Sequence, residues 1–317
     1  MMTTRARDDG IRHLEARMGR WKLERRTPAV RASRMIHWLF GHVLYPLGIA
    51  GATTLARTAC RILGADMAVV TNPLGARFAF PAWDSYYGHY FYAGRDYEPE
   101  IARLLAAHAA NSSASFLDCG ANYGYWSVQA ARVLQGGVVA VELHPATIAL
   151  LTINANSAGR PVQVLNAAVW DEDGLAMSVT GTGQHEGHSA QVAEAAGAVR
   201  SRTIDSIVSE LGLAPEHLLV KVDCEGAEVR ALAGAANAAA RGACFVLEDH
   251  GNDPQCRVSR RVFELGWHLA IFDAQADRWR EIGTVDEVSG MKTDPARGYN
   301  VMAWAGTLQP ALVRAFA

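Results

Sequence analysis

Acidic residues and glycines stand where two apolar runs of this 317-residue chain end. Asp118 follows the run SFL and is followed by Gly120 and Gly124, while Glu142 closes the run VVAVE. A dinucleotide-binding loop needs glycine at the place of Asp118, because its backbone must approach a pyrophosphate. A phosphate-binding loop needs a lysine after the glycines, and none follows here. The carboxylate therefore favours a cofactor that carries a positive group and no phosphates.

The spacing of Glu142 narrows the class of cofactor. Glu142 comes 22 residues after Gly120, at the position from which a carboxylate accepts two hydrogen bonds from a ribose diol. A ribose joined to a cationic tail without phosphate describes S-adenosylmethionine. We therefore predict this cofactor, with Asp118 and the glycine loop at its methionine end and Glu142 at its ribose.

The elements that would position these residues alternate along the chain. From Ser115 onward, short apolar runs that predict buried strands are followed by helical patterns, such as a strand at 138–142 and a helix from Pro145. This alternation predicts an α/β fold with a parallel sheet covered by helices on both faces. Five polar or glycine-bearing strand ends should then meet at one edge of the sheet. They are Asp118–Gly124, Glu142–Pro145, Asn166–Ala168, Asp223–Glu228 and Glu248–Asn252.

Four assignments along the chain predict the bounds of particular elements. Residues 162–169 (VQVLNAAV) are predicted as one strand, and residues 181–198 as a loop. The run GAEVRALAGAANAAA, at 226–240, is predicted as one helix after the strand that ends at Asp223. Thr203 is predicted to begin a further helix as its N-cap.

Several segments also occur in an order that resembles a known family. They are FLDCGANYGYWS, VVAVELHP, NAAVWDEDG, TIDSIV, LLVKVDCEGAEVRALAGA and FVLED. In this order they are similar to the FkbM-type S-adenosylmethionine-dependent methyltransferases, over roughly Phe78 to Trp304. Cys119 departs from the valine or isoleucine common in that family. The segment LEDHGND is more acidic than the single glutamate usual there.

The resemblance implies a Rossmann-like methyltransferase fold with a mostly parallel seven-stranded sheet. Residues 1–75 lie outside the resemblance and are predicted as a helical N-terminal extension, which leaves residues 76–317 as the methyltransferase domain. The resemblance also implies O-methylation of a sugar, glycan, glycolipid or natural product. By position, the methionine and ribose parts of the cofactor would contact Asp118, Gly120, Ala121, Asn122, Gly124, Glu142, Leu143 and Asp223. Asn166 and Ala167 would border the adenine.

The resemblance further implies that Asp223 and Glu225 face the reacting centre. A hydroxyl is a poor nucleophile, so a base or a metal must help to remove its proton. In one hypothesis, His250 or Asp223 is the general base. In the other, Asp223, Glu248 and Asp249 bind Mg²⁺, which lowers the pKa of the acceptor hydroxyl. Both hypotheses stay open at this stage.

Two other functions are compatible with the same fold. One is transfer of the methyl group to a nitrogen or a carboxylate. The other is a non-catalytic protein that keeps the cofactor fold and works as a membrane or assembly module. The acids Asp223, Glu225, Glu248 and Asp249 favour a working site, because a degenerate protein would be expected to have lost some of them.

Structural roles are predicted for several other polar and aromatic residues. Glu228 should stabilise a helix N-terminus, Asp171 and Asp173 should form a turn, and Cys119 and Cys224 should be small core residues. The segment HEGH, His185 to His188, lacks one residue of a zinc motif and is predicted as an exposed loop. Aromatic side chains are predicted as packing residues, with stacking on a sugar ring as the alternative. They are Trp83, Tyr86, Tyr87, Tyr90, Phe91 and Tyr92.

Composition limits the partners and the compartment. The net charge of −2 gives no basic field, so nucleic acid is not an expected partner. Five cysteines, an odd number without CxxC spacing, predict a reducing cytoplasm and no disulfide framework. The expected partner is a small-molecule or glycan acceptor.

The N-terminal region has a separate character. Residues 1–34 hold ten basic and four acidic residues, and residues 35–56 hold no charged side chain apart from histidine. The favoured interpretation is a helical cap packed on the domain or on a second subunit of a homo-oligomer. The alternative is attachment of residues 1–56 to a membrane surface, which would place the protein at the inner face of the membrane.

Overall fold

An eight-stranded sheet forms the centre of the molecule. The computed structural model describes residues 4–24, 27–44, 47, 49, 51–64, 67–92, 96–180, 189–192, 199–295 and 297–316. In spatial order the strands are β14 (Arg278–Ile282), β13 (His268–Asp273), β15 (Gly298–Trp304), β12 (Cys244–His250), β11 (Leu218–Val222), β4 (Ser115–Cys119), β5 (Val138–Glu142) and β6 (Gln163–Asn166).

Five neighbouring strands of this sheet, β6, β5, β4, β11 and β12, run parallel to one another. β15 is antiparallel to β12 and to β13, and β14 is antiparallel to β13 at the sheet edge. The predicted α/β class with a mostly parallel sheet is therefore confirmed. The sheet has one strand more than the seven implied by the resemblance, because β14 extends the edge beyond β13.

Helices cover both faces of the sheet, as predicted. They are α5 (Pro99–His108), α6 (Tyr125–Val133), α7 (Pro145–Ser157), α8 (Ile204–Glu210), α9 (Glu228–Ala233), α10 (Ala236–Ala240), α11 (Arg257–Glu264) and α12 (Val285–Met291). Successive residues of β4 belong to different cores, because side chains alternate between the faces of a strand. Phe116 packs with α5 and α6, whereas Leu117 packs with α8 to α11.

The N-terminal region carries its own helices and a small antiparallel sheet. Its elements are α1 (Thr4–Gly19), β1 (Lys22–Leu23), α2 (Pro28–Leu39), a π-helical turn (Phe40–Leu44), α3 (Ala52–Leu63), β2 (Met67–Thr71), β3 (Arg77–Pro81) and α4 (Ser85–Phe91). Met18 of α1 and Val30 of α2 share a core with Phe78 and Trp126. The predicted boundary at residue 75 lies in the turn between β2 and β3, and the two-domain division stays a prediction. Among the described residues no helix is both long and apolar enough to cross a membrane.

One buried side chain ties the small sheet to the main domain. Asn154 on α7 accepts a hydrogen bond from the backbone N–H of Ala79 at 2.8 Å and donates to the carbonyls of Ala79 and Tyr123 at 2.9 and 2.7 Å. β3 is an edge strand of the small sheet, and the two bonds to Ala79 satisfy backbone groups on its open edge. α7 is thereby fixed between β3 and the loop that follows β4.

The predicted single strand at 162–169 is wrong, because the chain changes sheets at Ala167. β6 ends at Asn166, and β7 (Ala168–Val169) joins a second sheet with β8 (Ala176–Thr180), β9 (Ser189–Val192) and β10 (Val199–Arg202). β9 also corrects the prediction of an uninterrupted loop at 181–198. The predicted HEGH loop at 185–188 lies outside the described residues.

The predicted single helix at 226–240 is two helices, α9 and α10, separated at Gly234. The Asp205 carboxylate accepts hydrogen bonds from the backbone N–H groups of Asn237 and Ala238, at 2.9 and 2.8 Å. It therefore starts a new helix there, in the manner of an N-terminal cap. Thr203 caps α8 as predicted, because its hydroxyl accepts a hydrogen bond from the N–H of Ser206 at 3.0 Å.

Candidate functional site

A cavity of about 800 Å³ opens at the carboxyl ends of the parallel strands. Residues from all five predicted strand ends line this cavity, namely those after β4, β5, β6, β11 and β12. The end of β6 contributes Ala167 and Ala168. The prediction that these strand ends meet at one edge is therefore confirmed.

Asp118 is a buried carboxylate in this wall. Its Oδ2 accepts a hydrogen bond from the Ser127 hydroxyl at 2.6 Å, and its Oδ1 is buried without a hydrogen-bond partner among the described residues. Burial raises the pKa of Asp118, while the charge of Lys221 opposes that rise. An acceptor oxygen left without a donor in a cavity wall marks a place where a cationic or N–H group of a ligand can bind.

Glu142 stands at the end of β5 with both carboxylate oxygens oriented by backbone. Oε2 accepts from the N–H of Asn122, and Oε1 from the N–H of His144, each at 2.8 Å. Burial raises the pKa of Glu142, and these two bonds oppose the rise. Each oxygen keeps a further lone pair, so the carboxylate can accept two more hydrogen bonds from a diol.

The glycines of the first loop have steric roles in addition to the predicted contact with a cofactor. A Cβ on Gly120 would lie 1.7 Å from the Asp223 carbonyl oxygen, and one on Gly124 would lie 2.5 Å from Leu151 Cδ1. Both glycines have positive φ, at 77° and 84°. Gly120 lines the cavity and lets two strand-end loops touch, whereas Gly124 begins α6 and is not part of the cavity wall.

The other predicted cofactor residues divide into four that line the cavity and one that does not. Ala121, Asn122, Leu143 and Ala167 line the cavity. Asn166 does not; its amide donates to the carbonyls of Glu142 and Leu143, at 2.8 and 2.9 Å. Asn166 therefore holds the backbone of the neighbouring strand end, and its role towards a cofactor is indirect in this geometry.

A lysine lies at the centre of the acidic part of the cavity, and the sequence analysis did not select it. Lys221 on β11 is 4% exposed at its side chain and donates to Asp223 Oδ2 at 2.8 Å. Burial lowers the pKa of Lys221, but the carboxylates of Asp223, Asp118 and Glu98 raise it above its ordinary value. The signal in the sequence was a single cation within the apolar strand LLVKV.

Asp223, Glu248 and His250 form a connected group beside this lysine. Lys221 and a hydrogen bond from Glu248 outweigh burial and lower the pKa of Asp223. Burial, followed by the charge of Asp223, raises the pKa of Glu248 well above its ordinary range. The two neighbouring carboxyls thus differ in acidity, with Asp223 the stronger acid. His250 Nδ1 lies 3.5 Å from Glu248 Oε2, and both residues line the cavity.

Glu98 is a second cavity residue that sequence reasoning missed. Its carboxylate accepts hydrogen bonds from Trp126 Nε1 at 2.6 Å and from Asn300 Nδ2 at 3.0 Å. Burial, partly opposed by the charge of Lys221, raises the pKa of Glu98 to about 7. Glu98 has a φ of 44° at the start of α5, so the chain holds it in an uncommon conformation. Its local sequence carries no strand-end signal.

Aromatic side chains form a further part of the cavity wall. Tyr86, Tyr87 and Tyr90 of α4 line the cavity together with Tyr97 and Trp126. The hydroxyls of Tyr86 and Tyr97 are 3.0 Å apart, and the rings of Tyr90 and Tyr97 meet edge to face at 4.8 Å. The remaining aromatics of the predicted group, Trp83, Phe91 and Tyr92, do not line the cavity and pack elsewhere in this region.

The methyltransferase FkbM domain model matches residues 118–278, just over half of the chain. The match begins at Asp118 and includes each strand end described above. The chain belongs to the FkbM methyltransferase family. It is therefore a methyltransferase, and the resemblance noted from the sequence is confirmed.

Solved structures with a similar chain path share little sequence with this FkbM methyltransferase. A precorrin-6y C5,15-methyltransferase from Geobacter metallireducens GS-15 has 12% identity and a TM-score of 0.39, covering 67% of this chain and 88% of its own. A SAM-dependent O-methyltransferase from Thermotoga maritima has 11% identity and a TM-score of 0.39, and the match covers 78% of this chain and 82% of its own. An O-methyltransferase from Bacillus cereus in complex with SAH has 14% identity and a TM-score of 0.37, and the match covers 64% of this chain and 79% of its own. No curated protein sequence matches the chain.

The predicted Mg²⁺ ligands of this FkbM methyltransferase do not come together. Asp249 lies on the opposite face of β12 from Glu248 and His250, because side chains alternate along a strand. It is fully buried, with Oδ1 2.8 Å from Lys292 Nζ, and its Oδ2 accepts from the Ser259 hydroxyl. Asp249 is thus part of a structural ion pair outside the cavity. Within the described ranges, no group of three acidic, histidine or cysteine residues could hold a metal ion.

The other predicted residues around the end of β11, and Cys119 on β4, lie either in the cavity wall or behind it. Glu225, at a φ of 51°, is exposed and lines the cavity. Glu228 lies behind it and accepts hydrogen bonds from the N–H groups of Cys224 and Gly226, at 2.9 and 3.1 Å. This agrees with the predicted stabilising role of Glu228. Cys119 is in the core as predicted, whereas Cys224 lines the cavity.

The two turn residues also lie away from the cavity. Asp173 accepts hydrogen bonds from the Thr203 N–H at 2.6 Å and from the Ser206 hydroxyl at 2.8 Å. Asp171 pairs with Arg230 at 2.7 Å. Both side chains connect the turn after β7 to neighbouring helices, so their role is structural.

Proposed function

We propose that this FkbM methyltransferase uses S-adenosylmethionine to methylate a hydroxyl oxygen of a sugar, glycan, glycolipid or natural product. The observation that carries the proposal is the buried Asp118 carboxylate with one unpartnered oxygen, in the same cavity wall as Glu142. This wall offers negative charge and hydrogen-bond acceptors and contains no phosphate-binding lysine loop. Such a set of negatively charged acceptors fits a cationic nucleoside and not a nucleotide.

The residues present fit the parts of that cofactor. Asp118 Oδ1 would accept from its ammonium group, and the free lone pairs of Glu142 would accept from its ribose hydroxyls. Leu143 and Ala167 supply apolar surface beside Glu142 for the adenine. When bound, S-adenosylmethionine supplies an electrophilic methyl group on a positively charged sulfur.

His250 is our candidate for the residue that takes the proton from the acceptor hydroxyl. It lines the cavity beside Glu248, which can orient the imidazole through Nδ1 at 3.5 Å. Asp223 is the weaker candidate, because Lys221 lowers its pKa and occupies Oδ2. Lys221 and Asp223 instead hold the strand end in place. The acidic cavity repels a carboxylate acceptor, and the aromatic wall of α4 suits the apolar face of a sugar.

Calorimetry with S-adenosylhomocysteine tests the cofactor assignment. We expect the full chain to bind it and Glu142→Ala to weaken binding by about 100-fold, since two hydrogen bonds to a charged group contribute about 3 kcal/mol. Glu264→Ala, an exposed change on α11, should bind like the wild type. Absence of binding in the wild type, or an unchanged affinity in Glu142→Ala, would reject the assignment.

Mass spectrometry of products tests the acceptor. Labelled methyl groups should appear on hydroxyls of a glycoside panel, and amine and carboxylate panels measure the two rival acceptor classes. His250→Asn should lower the turnover number at least about 100-fold with S-adenosylhomocysteine affinity retained. His268→Asn, at the exposed end of β13, is the matched control. Turnover that survives in His250→Asn would remove His250 as the base, and transfer only to amines or carboxylates would refute O-methylation.

A further inference from the structure

The outer surface of α2 and of the turn that follows it is apolar. Six large hydrophobic side chains are exposed there, with Leu47 at 70%, Met35 at 66% and Trp38 at 54%. We call these six residues the apolar face: Met35, Trp38, Leu39, Val43, Leu47 and Ile49. Met35, Trp38 and Leu39 recur at helical spacing, so they share one side of α2.

This face is not the packing side of the helix. α2 buries Ala29, Val30 and Ser33 against the rest of the molecule, and Phe40 continues that buried side. α3 packs beside α2 and adds exposed Leu55 and Ile62, at 52% and 78%. The two helices therefore pack against the rest of the molecule through their buried sides. Their other large apolar side chains are exposed to solvent. Contiguous exposed apolar surface of this kind marks an interaction site.

The chain segment that carries the apolar face has charged side chains of one sign. The chain has no aspartate or glutamate between Glu24 and Asp66. Over the same interval Arg31 and Arg34 on α2, and Arg57 and Arg61 on α3, are exposed. Apolar side chains that include a tryptophan, next to arginines and without acids, are the composition of helices that lie in the headgroup layer of a bilayer.

We propose that α2, the following turn and α3 dock this methyltransferase on the surface of an anionic lipid bilayer. The arginines would contact lipid phosphates and the apolar face would enter the boundary between headgroups and acyl chains. A second copy of the chain is a poorer occupant, because a symmetric contact through this surface would bring two sets of arginines together. The proposal does not depend on the identity of the methyl donor or acceptor.

The docking surface is close to the cavity. Thr53 of α3 donates to the Ser85 hydroxyl at 2.6 Å, and Arg57 stacks over the Trp83 ring at 4.1 Å. These contacts fix α3 against α4, the helix whose Tyr86 and Tyr90 line the cavity. Docking would therefore place the aromatic wall of the cavity one short helix away from the bilayer, within reach of acceptors that are held there.

Vesicle co-sedimentation of the full chain tests the proposal. We expect binding to vesicles of phosphatidylcholine and phosphatidylglycerol in equal parts, little binding to pure phosphatidylcholine, and weaker binding as salt is raised. The triple change Met35→Ser, Trp38→Ser and Leu47→Ser should weaken binding at least about tenfold. Ile153→Ser with Val313→Ser, which removes exposed apolar side chains elsewhere, should leave binding unchanged.

A second variant separates charge from apolar contact. Arg31→Ser with Arg34→Ser should weaken binding to the anionic vesicles about 30-fold, from about 1 kcal/mol per arginine near the surface. Arg241→Ser with Arg278→Ser, two exposed arginines elsewhere, is its control. Failure of the wild type to bind anionic vesicles, or equal losses in the variants and their controls, would overturn the proposal. So would sedimentation analysis showing a dimer that the triple change converts to monomers.

Discussion

At the scale of single residues, one buried lysine sets the charge pattern of the cavity. Lys221 interacts with the carboxylates of Asp118, Asp223 and Glu98, and only Asp223 gains enough from it for its pKa to fall. Asp118 and Glu98 keep raised pKa values because burial outweighs the attraction to the lysine. The cavity thus holds carboxyls whose pKa values are shifted in opposite directions, a pattern common at functional sites.

The raised pKa of Glu98 predicts a loss of stability with rising pH. The pKa is about 7 in the folded protein against 4.5 for an ordinary glutamate, so the unfolded chain loses this proton first. The protonated Glu98 carboxyl contributes fully to the free energy of unfolding below pH 4.5. This contribution, about 3 kcal/mol, is lost as the pH rises through about 7. Glu98→Gln should remove this slope in the free energy of unfolding, measured by urea titration across that interval. Glu264→Gln is the exposed control, and an unchanged slope in Glu98→Gln would contradict the assignment.

At the scale of elements, the loops after β4 and β11 form one unit. Gly120 sits against the Asp223 carbonyl, and the N–H of Asp223 donates to the Cys119 carbonyl at 3.0 Å. The loop that carries Asp118 therefore rests on the loop that carries Asp223 and Glu225. A shift in either loop should move cofactor-side and acceptor-side residues together.

Gly120→Ala tests this contact against a matched glycine. Gly174 has a similar φ, 84° against 77°, but a Cβ there would meet nothing within 4 Å. Gly174→Ala should therefore cost only the backbone strain of about 1–2 kcal/mol. Gly120→Ala adds the overlap with the Asp223 carbonyl and should cost at least about 2 kcal/mol more by thermal or urea unfolding. Equal losses in the two variants would show that the loops are not in contact.

Gly298, at the start of the antiparallel strand β15, is a second glycine that leaves room for a cavity residue. A Cβ on Gly298 would lie 1.7 Å from Glu248 Oε1, so β15 leaves room for the carboxyl that contacts His250. This glycine is outside the 118–278 segment matched by the family model. The last strand of the sheet therefore shapes the part of the cavity that contains Glu248 and His250.

At the scale of the whole molecule, Arg103 joins three parts of the chain. Its side chain is 4% exposed and pairs with Glu15 of α1 at 3.2 Å and with Asp277 at 2.9 Å. Asp277 lies in the turn between β13 and β14, and Arg103 itself is on α5. The ion pairs hold the N-terminal helix against the methyltransferase sheet and fix its added edge strand.

Arg103→Met should destabilise the protein by about 3 kcal/mol, because it removes the cation that pairs with the largely buried Glu15 carboxylate. The expected readout is a lower free energy of unfolding together with faster proteolysis of the N-terminal helix. Arg261→Met removes an exposed pair with Glu264 on α11 and should change stability by less than about 1 kcal/mol. A loss in Arg103→Met no larger than in Arg261→Met would mean that α1 is held by apolar contacts alone.

Local sequence predicted much of the site. Apolar runs located the central strands, and the polar residues at their ends lie around one cavity, because parallel strands bring their carboxyl ends to one edge. The same alternation of side chains that defines a strand also separates Asp249 from Glu248 and His250. The predicted Mg²⁺ ligand set is therefore not supported, because the alternation within the run LEDH turns Asp249 away from the cavity.

Local periodicity and motif spacing determined the fold class and the family, and they singled out the carboxylates Asp118 and Glu142 at the strand ends. Tertiary structure alone decided the place of Glu98, whose Asn300 partner is 202 residues away. It also decided the break in the helix at Gly234, which depends on Asp205 from another element. Such contacts join segments distant in sequence, and the free energy of burying a charge beside Lys221 exists only when those segments pack together.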